Sequence, residues 1–356
     1  MMLKFYPATI VSKEPETEDS ILVTLSVPDE ALDAFHYSQG QHLPIRVQID
    51  GADVRRTYSI CSSVNDNKLR LAIRMQGAAS TYIGKKLAVG DTLEVMPPSG
   101  HFQTDLDATQ TRTYVAFVAG SGITPILSIV KTTLETERES RFIIFYGNRK
   151  RSTTMFIEEL YGLKNLYPER LSLHFIMSRE EGEIPVYSGR IDRVKVKLLH
   201  QTFLGDLKPD DVFICGPNPM IDDITESLVE LGYNSARIHS ERFRTEALEE
   251  ADEKQDSTPA AHGNIEVTVT MDGNRQSFQM TDDSQSLLDA ALDNEIELPY
   301  SCMGGVCSTC RTLLVKGKVN MAINYALEDW ELKEGYILTC QSRPETAEIE
   351  LDYDQT

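Results

Sequence analysis

The chain is short of positive charge, with 35 Lys and Arg against 55 Asp and Glu in 356 residues, a formal net charge of -20. Phosphate backbones are bound by concentrated basic side chains, so this deficit argues against a nucleic-acid-binding surface and favours a basic protein partner or plain solubility. Long apolar runs are also missing. None approaches the roughly 20 residues that span a bilayer, and the opening stretch MMLKFYPATIVSKEPETEDS has no basic segment leading into an apolar core. A cytoplasmic location without a membrane span is the expectation. Cysteine is scarce, at six. In a reducing compartment six thiols do not read as a disulfide framework, which leaves metal binding, catalysis or burial for each. Apolar residues are not in short supply: at 41% of the chain they can supply two or three cores.

Four of the six cysteines, Cys302, Cys307, Cys310 and Cys340, form C-x4-C-x2-C and then a single Cys after 29 further residues. Structural zinc usually draws ligands as two short-spaced pairs, whereas three thiolates from one loop and one from a distant segment is the plant-type 2Fe-2S pattern. A zinc knuckle or a chance grouping of thiols is the alternative. Gly304 and Gly305 give the loop the backbone freedom that wrapping a cluster requires. The flanks agree, since IEVTVTMDGNRQSFQM alternates as a hairpin about an Asp-Gly turn and SLLDAALDNEI has helical spacing. They predict a small α+β module over residues 264–356.

The stretch before it, residues 246–263, is rich in Glu, Asp, Ala, Ser and Pro and without aromatics, and reads as a linker, with a surface helix in its first half as the alternative. Residues 109–245 alternate short apolar strands with helical stretches, the pattern of a parallel α/β sheet covered on both faces. AGSGITP, Ala119 to Pro125, lies where the first of these strands turns into a helix. Gly120 and Gly122 there suit backbone approach to a pyrophosphate, or simply an ordinary tight turn. Residues 1–108 read as short alternating strands bounded by turn formers, an antiparallel β-barrel. Within RRTYSI, Arg56 and Tyr58 share a face and Ser59 points the other way.

Taken in order, Arg-x-Tyr-Ser (Arg56, Tyr58, Ser59), Gly-Ser-Gly-Ile-Thr-Pro (Gly120 to Pro125), Cys-Gly-Pro-x-x-Met (Cys215, Gly216, Pro217, Met220) and the four-cysteine module resemble the ferredoxin-NADP reductase superfamily. The narrower resemblance is to oxygenase reductases with a C-terminal plant-type ferredoxin, and it covers essentially the whole chain. It implies three domains: an FAD-binding barrel, an NAD(P)-binding α/β domain and a β-grasp 2Fe-2S ferredoxin. It also implies roles. Tyr58 stacks on the isoalloxazine, Arg56 neutralises the FAD pyrophosphate and Ser59 lies near flavin N5. Arg74, with the backbone around Gly77, Ser80 and Thr81, completes the phosphate site. Gly120, Gly122, Thr124 and Pro125 line the dinucleotide turn. Cys215, with Gly216, Pro217 and Met220, lies beside the nicotinamide, and Glu241 brings a carboxylate to the flavin. A packed strand residue for Tyr58, a buried thiol for Cys215 and an exposed Glu241 are the plain alternatives.

A 2'-phosphate is held by Arg and small donors, a free ribose 2'-OH by an acidic side chain. Arg149 follows the second strand of the α/β region, and Ser178 and Arg179 follow the third, which favours NADPH, with NADH as the alternative. Lys150 and Arg151 read as a solvated basic turn. The implied partner is the oxygenase component of a multicomponent complex: a di-iron epoxidase first, a Rieske ring-hydroxylating enzyme or an alkane or acyl hydroxylase otherwise. Residues 264–356 carry 17 Asp and Glu against 6 Lys and Arg, a net of -11, so docking is expected through this acidic domain, with Glu328, Asp329 and Glu331 as candidates.

Overall fold

The computed structural model describes residues 4–180, 184–243 and 264–355. The segment read as a linker lies outside them. Six antiparallel strands make the first sheet, in the order β4-β3-β6-β1-β2-β5: β1 Tyr6–Thr17, β2 Ser20–Ser26, β3 His42–Ile49, β4 Ala52–Ser59, β5 Leu69–Arg74 and β6 Thr92–Val95. Their alternating apolar positions, Ile10, Val23, Leu43, Ile45, Leu71 and Val95, point inward to one core, with α1 (Ala78–Lys86) packed on it through Ala79 and Ile83. Strands that alternate in this way bury one face and leave the other for contacts.

The second sheet is parallel, in the order β11-β10-β7-β8-β9: β7 Thr113–Ala119, β8 Arg141–Asn148, β9 Leu171–Met177, β10 Asp211–Cys215 and β11 Ile238–Glu241. Its strands are near-continuous apolar runs because helices cover both faces. α2 (Ile123–Thr136) and α3 (Ile157–Leu166) pack on one face, and α4 (Arg193–Leu199) and α5 (Asn218–Glu230) on the other. The chain runs outward from β7 through β8 and β9, then returns to place β10 on β7's other side. That reversal puts a ligand crevice at the carboxyl ends of β7 and β10. The core under α2 also takes in Leu22, Cys61, Ala72 and Phe102 from the barrel region, so the first two sheets share apolar packing.

The third sheet is mixed, β13-β12-β18-β14-β16, from β12 Ile265–Met271, β13 Asn274–Met280, β14 Arg311–Lys316, β16 Tyr336–Leu338 and β18 Glu348–Asp352. The β12–β13 hairpin turns on Asp272 and Gly273, both at positive φ (53° and 71°), as a tight Asp-Gly turn demands. α6 (Leu287–Asp293), capped by Ser286, buries Leu287, Leu288, Ala290 and Ala291 against the sheet. β15 (Val319–Met321) pairs with β17 (Ser342–Pro344), and α7 spans Asp329–Glu334. Among the described residues, no helix is long and apolar enough to cross a membrane.

Candidate functional site

The four cluster-motif cysteines converge from one loop and the turn after β16, each 7% exposed or less. The loop reverses sharply: Met303, Gly305 and Ser308 all have positive φ, and a Cβ on Gly305 would lie 2.8 Å from the Ile323 carbonyl. Among the described residues no three such side chains gather about one point as a single metal ion requires. Instead the thiols divide into two pairs, Cys302 with Cys307 and Cys310 with Cys340. The shared hydrogen bond in the first pair holds Cys307 below the ordinary thiol value and, with burial, pushes Cys302 well above it. Two thiol pairs in a buried loop fit a binuclear cluster, one iron to each pair. Backbone groups already address the sulfurs: Gly304 N–H donates to Cys302 Sγ (3.4 Å) and Cys302 N–H to Cys307 Sγ (3.5 Å).

A second convergence lies where the three sheets meet. Ser59, at the end of β4, is directly opposite His42 on β3. Cys215 and Glu241 are register partners at the ends of β10 and β11. The Glu241 carboxylate, 9% exposed, accepts from Ser59 Oγ at 3.5 Å and faces His42 Nδ1 at 3.5 Å. Burial opposes a charge on His42, yet Glu241 and, more weakly, Cys307 of the cluster loop hold its pKa above the ordinary value. Burial pushes the Cys215 thiol well up, with Glu241 acting in the same direction. The structure thus brings Ser59, Cys215 and Glu241 together, and adds His42, which sequence reading passed over. Its only signal there was a polar residue opening an apolar strand.

Gly122 explains how the dinucleotide turn fits: a Cβ there would lie 2.4 Å from the Cys215 carbonyl oxygen and 3.0 Å from its sulfur. Gly120 has φ +55. Thr124 and Pro125 are buried in the first turn of α2, and the Thr124 hydroxyl donates to the Ser121 carbonyl (3.0 Å), so these two shape the turn. Gly216 packs closely on β7, where a Cβ would lie 3.2 Å from Ala119 Cβ and displace the flexible end of Met220, and Pro217 precedes α5 as its cap. On the barrel, Arg74 is bound to Asp19 (2.7 Å). Ser80 Oγ accepts the Gln76 and Gly77 N–H groups at the start of α1, while Thr81 closes the first helical turn onto the Gly77 carbonyl. Arg56 donates to the Arg55 carbonyl (2.8 Å), and Tyr58 is half-buried against the barrel core.

Arg149 and Arg179 are exposed at neighbouring strand ends, tied by the Arg179 N–H to the Arg149 carbonyl (2.9 Å), as Ser178 is to Asn148 (2.8 Å). Neither arginine has an ion-pair partner among the described residues, and the Asn148 amide nitrogen is buried with no hydrogen-bond partner. Such donors at adjoining strand ends fit a phosphate. Of the docking candidates, Glu328 and Asp329 are exposed, but Glu331 is not. It is 0% exposed, pairs with Arg311 (2.9 Å) and accepts the Glu328 N–H (2.8 Å), because it is the third residue of α7 and folds back as its cap.

Three domain families match the chain in the order of these sites: an oxidoreductase FAD-binding domain over residues 7–104, an oxidoreductase NAD-binding domain over 117–226 and a 2Fe-2S iron-sulfur cluster binding domain over 269–345. The chain is 40% identical to a component of the 1,2-phenylacetyl-CoA epoxidase of Escherichia coli, covering 99% of each. It is 31% identical to the ferredoxin reductase component of 3-ketosteroid-9-alpha-monooxygenase of Rhodococcus rhodochrous, covering 97% of this chain and 96% of that one. In fold it matches phthalate dioxygenase reductase over 98% of each chain (TM-score 0.60, 24% identity). It also matches part of an intact type IV self-sufficient cytochrome P450 monooxygenase, covering 98% of this chain and 41% of that one (TM-score 0.70, 21% identity). The chain belongs to the ferredoxin-NADP reductase superfamily, among the oxygenase reductases with a C-terminal plant-type 2Fe-2S ferredoxin, and is an NAD(P)H-dependent oxidoreductase.

Proposed function

We propose that this chain is the cytoplasmic, NADPH-preferring reductase of an oxygenase complex, and that its partner is the di-iron epoxidase that acts on phenylacetyl-CoA. The observation that carries the partner is the 40% identity maintained over 99% of both chains with a component of that epoxidase. The 31% relative serves a different monooxygenase, which keeps another oxygenase as the second reading. The division into 1–108, 109–245, 246–263 and 264–356 goes with this proposal.

When bound, FAD takes a two-electron hydride from the nicotinamide and the cluster carries single electrons onward. The protein's own task is placement. Tyr58 offers its ring to the flavin and Arg56 its charge to the pyrophosphate, while the glycine turn at Gly120 to Gly122 admits the nucleotide beside Cys215. Ser59 and Glu241 present a hydroxyl and a buried carboxylate at the end of β4, where the flavin edge is expected. Arg149 and Arg179 take the 2'-phosphate, supported by their exposure and lack of an ion-pair partner among the described residues. Glu328 and Asp329 belong to the acidic face that meets the oxygenase.

Reconstitution decides the partner: the reductase with the purified epoxidase component should support NADPH-dependent turnover of phenylacetyl-CoA, and failure there with success on another oxygenase would favour the second reading. For the nucleotide, kcat/KM should be higher with NADPH than NADH. Arg179→Ala should lower the NADPH value about tenfold and leave NADH nearly unchanged, as the loss of a charge-assisted contact to one ligand only. A higher kcat/KM for NADH in the parent would overturn the preference.

A further inference from the structure

The joint between the ferredoxin and the rest of the molecule is unlike that between the first two sheets. Barrel residues enter the apolar core under α2, whereas, among the described residues, the ferredoxin core contains none from outside its own segment. Among the described residues, its contacts with the barrel include ion pairs, a cation–π contact and a hydroxyl pair, whose directionality fixes position.

Several of them fall on one strand, β4, beside further contacts from Arg46 and His42 on neighbouring β3. Alternate side chains of β4 face opposite ways. Arg56 and Tyr58 take the face proposed for the flavin, and Arg55 and Thr57 take the other. Arg55 is only 5% exposed. Its guanidinium lies 3.8 Å over the Tyr300 ring, with Nη2 3.0 Å from Glu297 Oε1 and 3.0 Å from Asp53 Oδ2. Two residues on, Thr57 Oγ1 and Ser301 Oγ are 2.9 Å apart. Arg46, directly across from Arg55 on β3, adds a second cation 3.6 Å from Glu297. Glu297, Tyr300 and Ser301 are thus held by successive outward positions of β4, and the next residue is the ligand Cys302. On the far side, Arg242 lies 4.6 Å over Tyr325, whose N–H donates to Gly305 of the cluster loop (2.9 Å).

We propose that Arg55 is a positioning residue for electron transfer from flavin to cluster: a latch that, with Thr57 setting the register, seats the cluster loop on the strand whose other face holds the flavin. This rests on the electron path proposed above, in which one NADPH yields NADP+, one proton and two electrons that leave through the cluster one at a time. Electron transfer weakens steeply with separation, and a cation held between a carboxylate and an aromatic face fixes that separation without an apolar seam.

The test uses full-length protein loaded with FAD and cluster. In stopped flow, Arg55→Glu should leave flavin bleaching by NADPH unchanged and slow the appearance of the reduced-cluster spectrum about tenfold, the scale of one desolvated cation-π and ion-pair contact. Hydrogen exchange at residues 297–301 should speed up in the same variant. Adding Glu297→Arg should restore much of both. Glu297→Gln, at an exposed position that leaves the fold intact, should slow the cluster step by about twofold to threefold, less so at high salt. Parent rates of cluster reduction in Arg55→Glu and Glu297→Gln, with unchanged exchange at 297–301, would overturn the latch. A parent protein whose cluster is never reduced by NADPH would overturn the electron path instead.

Discussion

His174 shows how a residue remote from the chemistry sets the pH range of the fold. It sits on β9 between the rings of Phe145 (5.0 Å) and Phe203 (4.1 Å), stacked towards Tyr187, whose hydroxyl is 3.4 Å from Nδ1. Burial, helped by Lys164, brings its pKa down from 6.5 to about 4. The unfolded chain therefore takes up a proton on this residue as pH falls through about 6.5, while the folded protein does not until about 4. Stability from this group is full above pH 6.5 and declines between there and pH 4. His174→Phe keeps a ring in the stack and removes the titration. The melting temperature of the variant relative to the parent should therefore rise by about two or three degrees between pH 7.5 and pH 5. A difference that stays constant across that range would show that the imidazole is not buried in its neutral form.

At the scale of elements, the junction of β7, α2 and β10 is the tightest test of the proposed nucleotide crevice. A methyl on Gly122 would meet Cys215 backbone atoms at 2.4 and 2.7 Å, so α2 would have to move away from β10. Gly122→Ala should cost about 1–3 kcal/mol of stability, the usual penalty of overpacking, and raise KM for NADPH about tenfold. Gly162→Ala is the control. It lies within α3 with nothing inside 4 Å of the added methyl, and should raise stability by about 0.5–1 kcal/mol with unchanged turnover. Equal effects of the two substitutions on KM would remove the close-approach role from Gly122. Elements like this one were readable in the sequence because their signals are local: four cysteines at fixed spacing, a glycine turn after an apolar strand, an Asp-Gly hairpin. The meeting of Ser59 and Glu241 came from the family resemblance and not from spacing, and His42 was missed, since Glu241 lies 182 residues from Ser59 and meets it only through the packing of two sheets. Arg55 and Glu297, 242 residues apart, are more distant still. Glu331 misled for the opposite reason: a run of acids looks solvated until the cap geometry turns one of them inward.

For the whole molecule, the uneven charge is the feature with the widest consequence. The segment 264–356 holds a net of -11 of the chain's -20, and exposed Glu328, just before α7, and Asp329, its first residue, lie beside Trp330, the one tryptophan, which is 51% exposed. Two kinds of docking are open to such a surface. If charge steers the encounter with a basic patch on the oxygenase, the second-order rate of oxygenase reduction should fall as ionic strength rises, since screening shortens the reach of exposed charges to about 10 Å at 0.1 M salt. Salt also weakens the Arg55–Glu297 contact, so the step from flavin to cluster has to be followed alone, without the oxygenase, at each ionic strength and divided out. Reversing Glu328 and Asp329 to Lys should then slow partner reduction about tenfold at low salt and little at high salt, because each removes an attraction and adds a repulsion at the rim. Flavin reduction by NADPH should be unaffected, as neither residue contacts the nucleotide crevice. A partner step independent of salt and of these reversals, but lost in Trp330→Ala, would mean that docking runs through the exposed indole and that the negative charge of this domain serves another purpose.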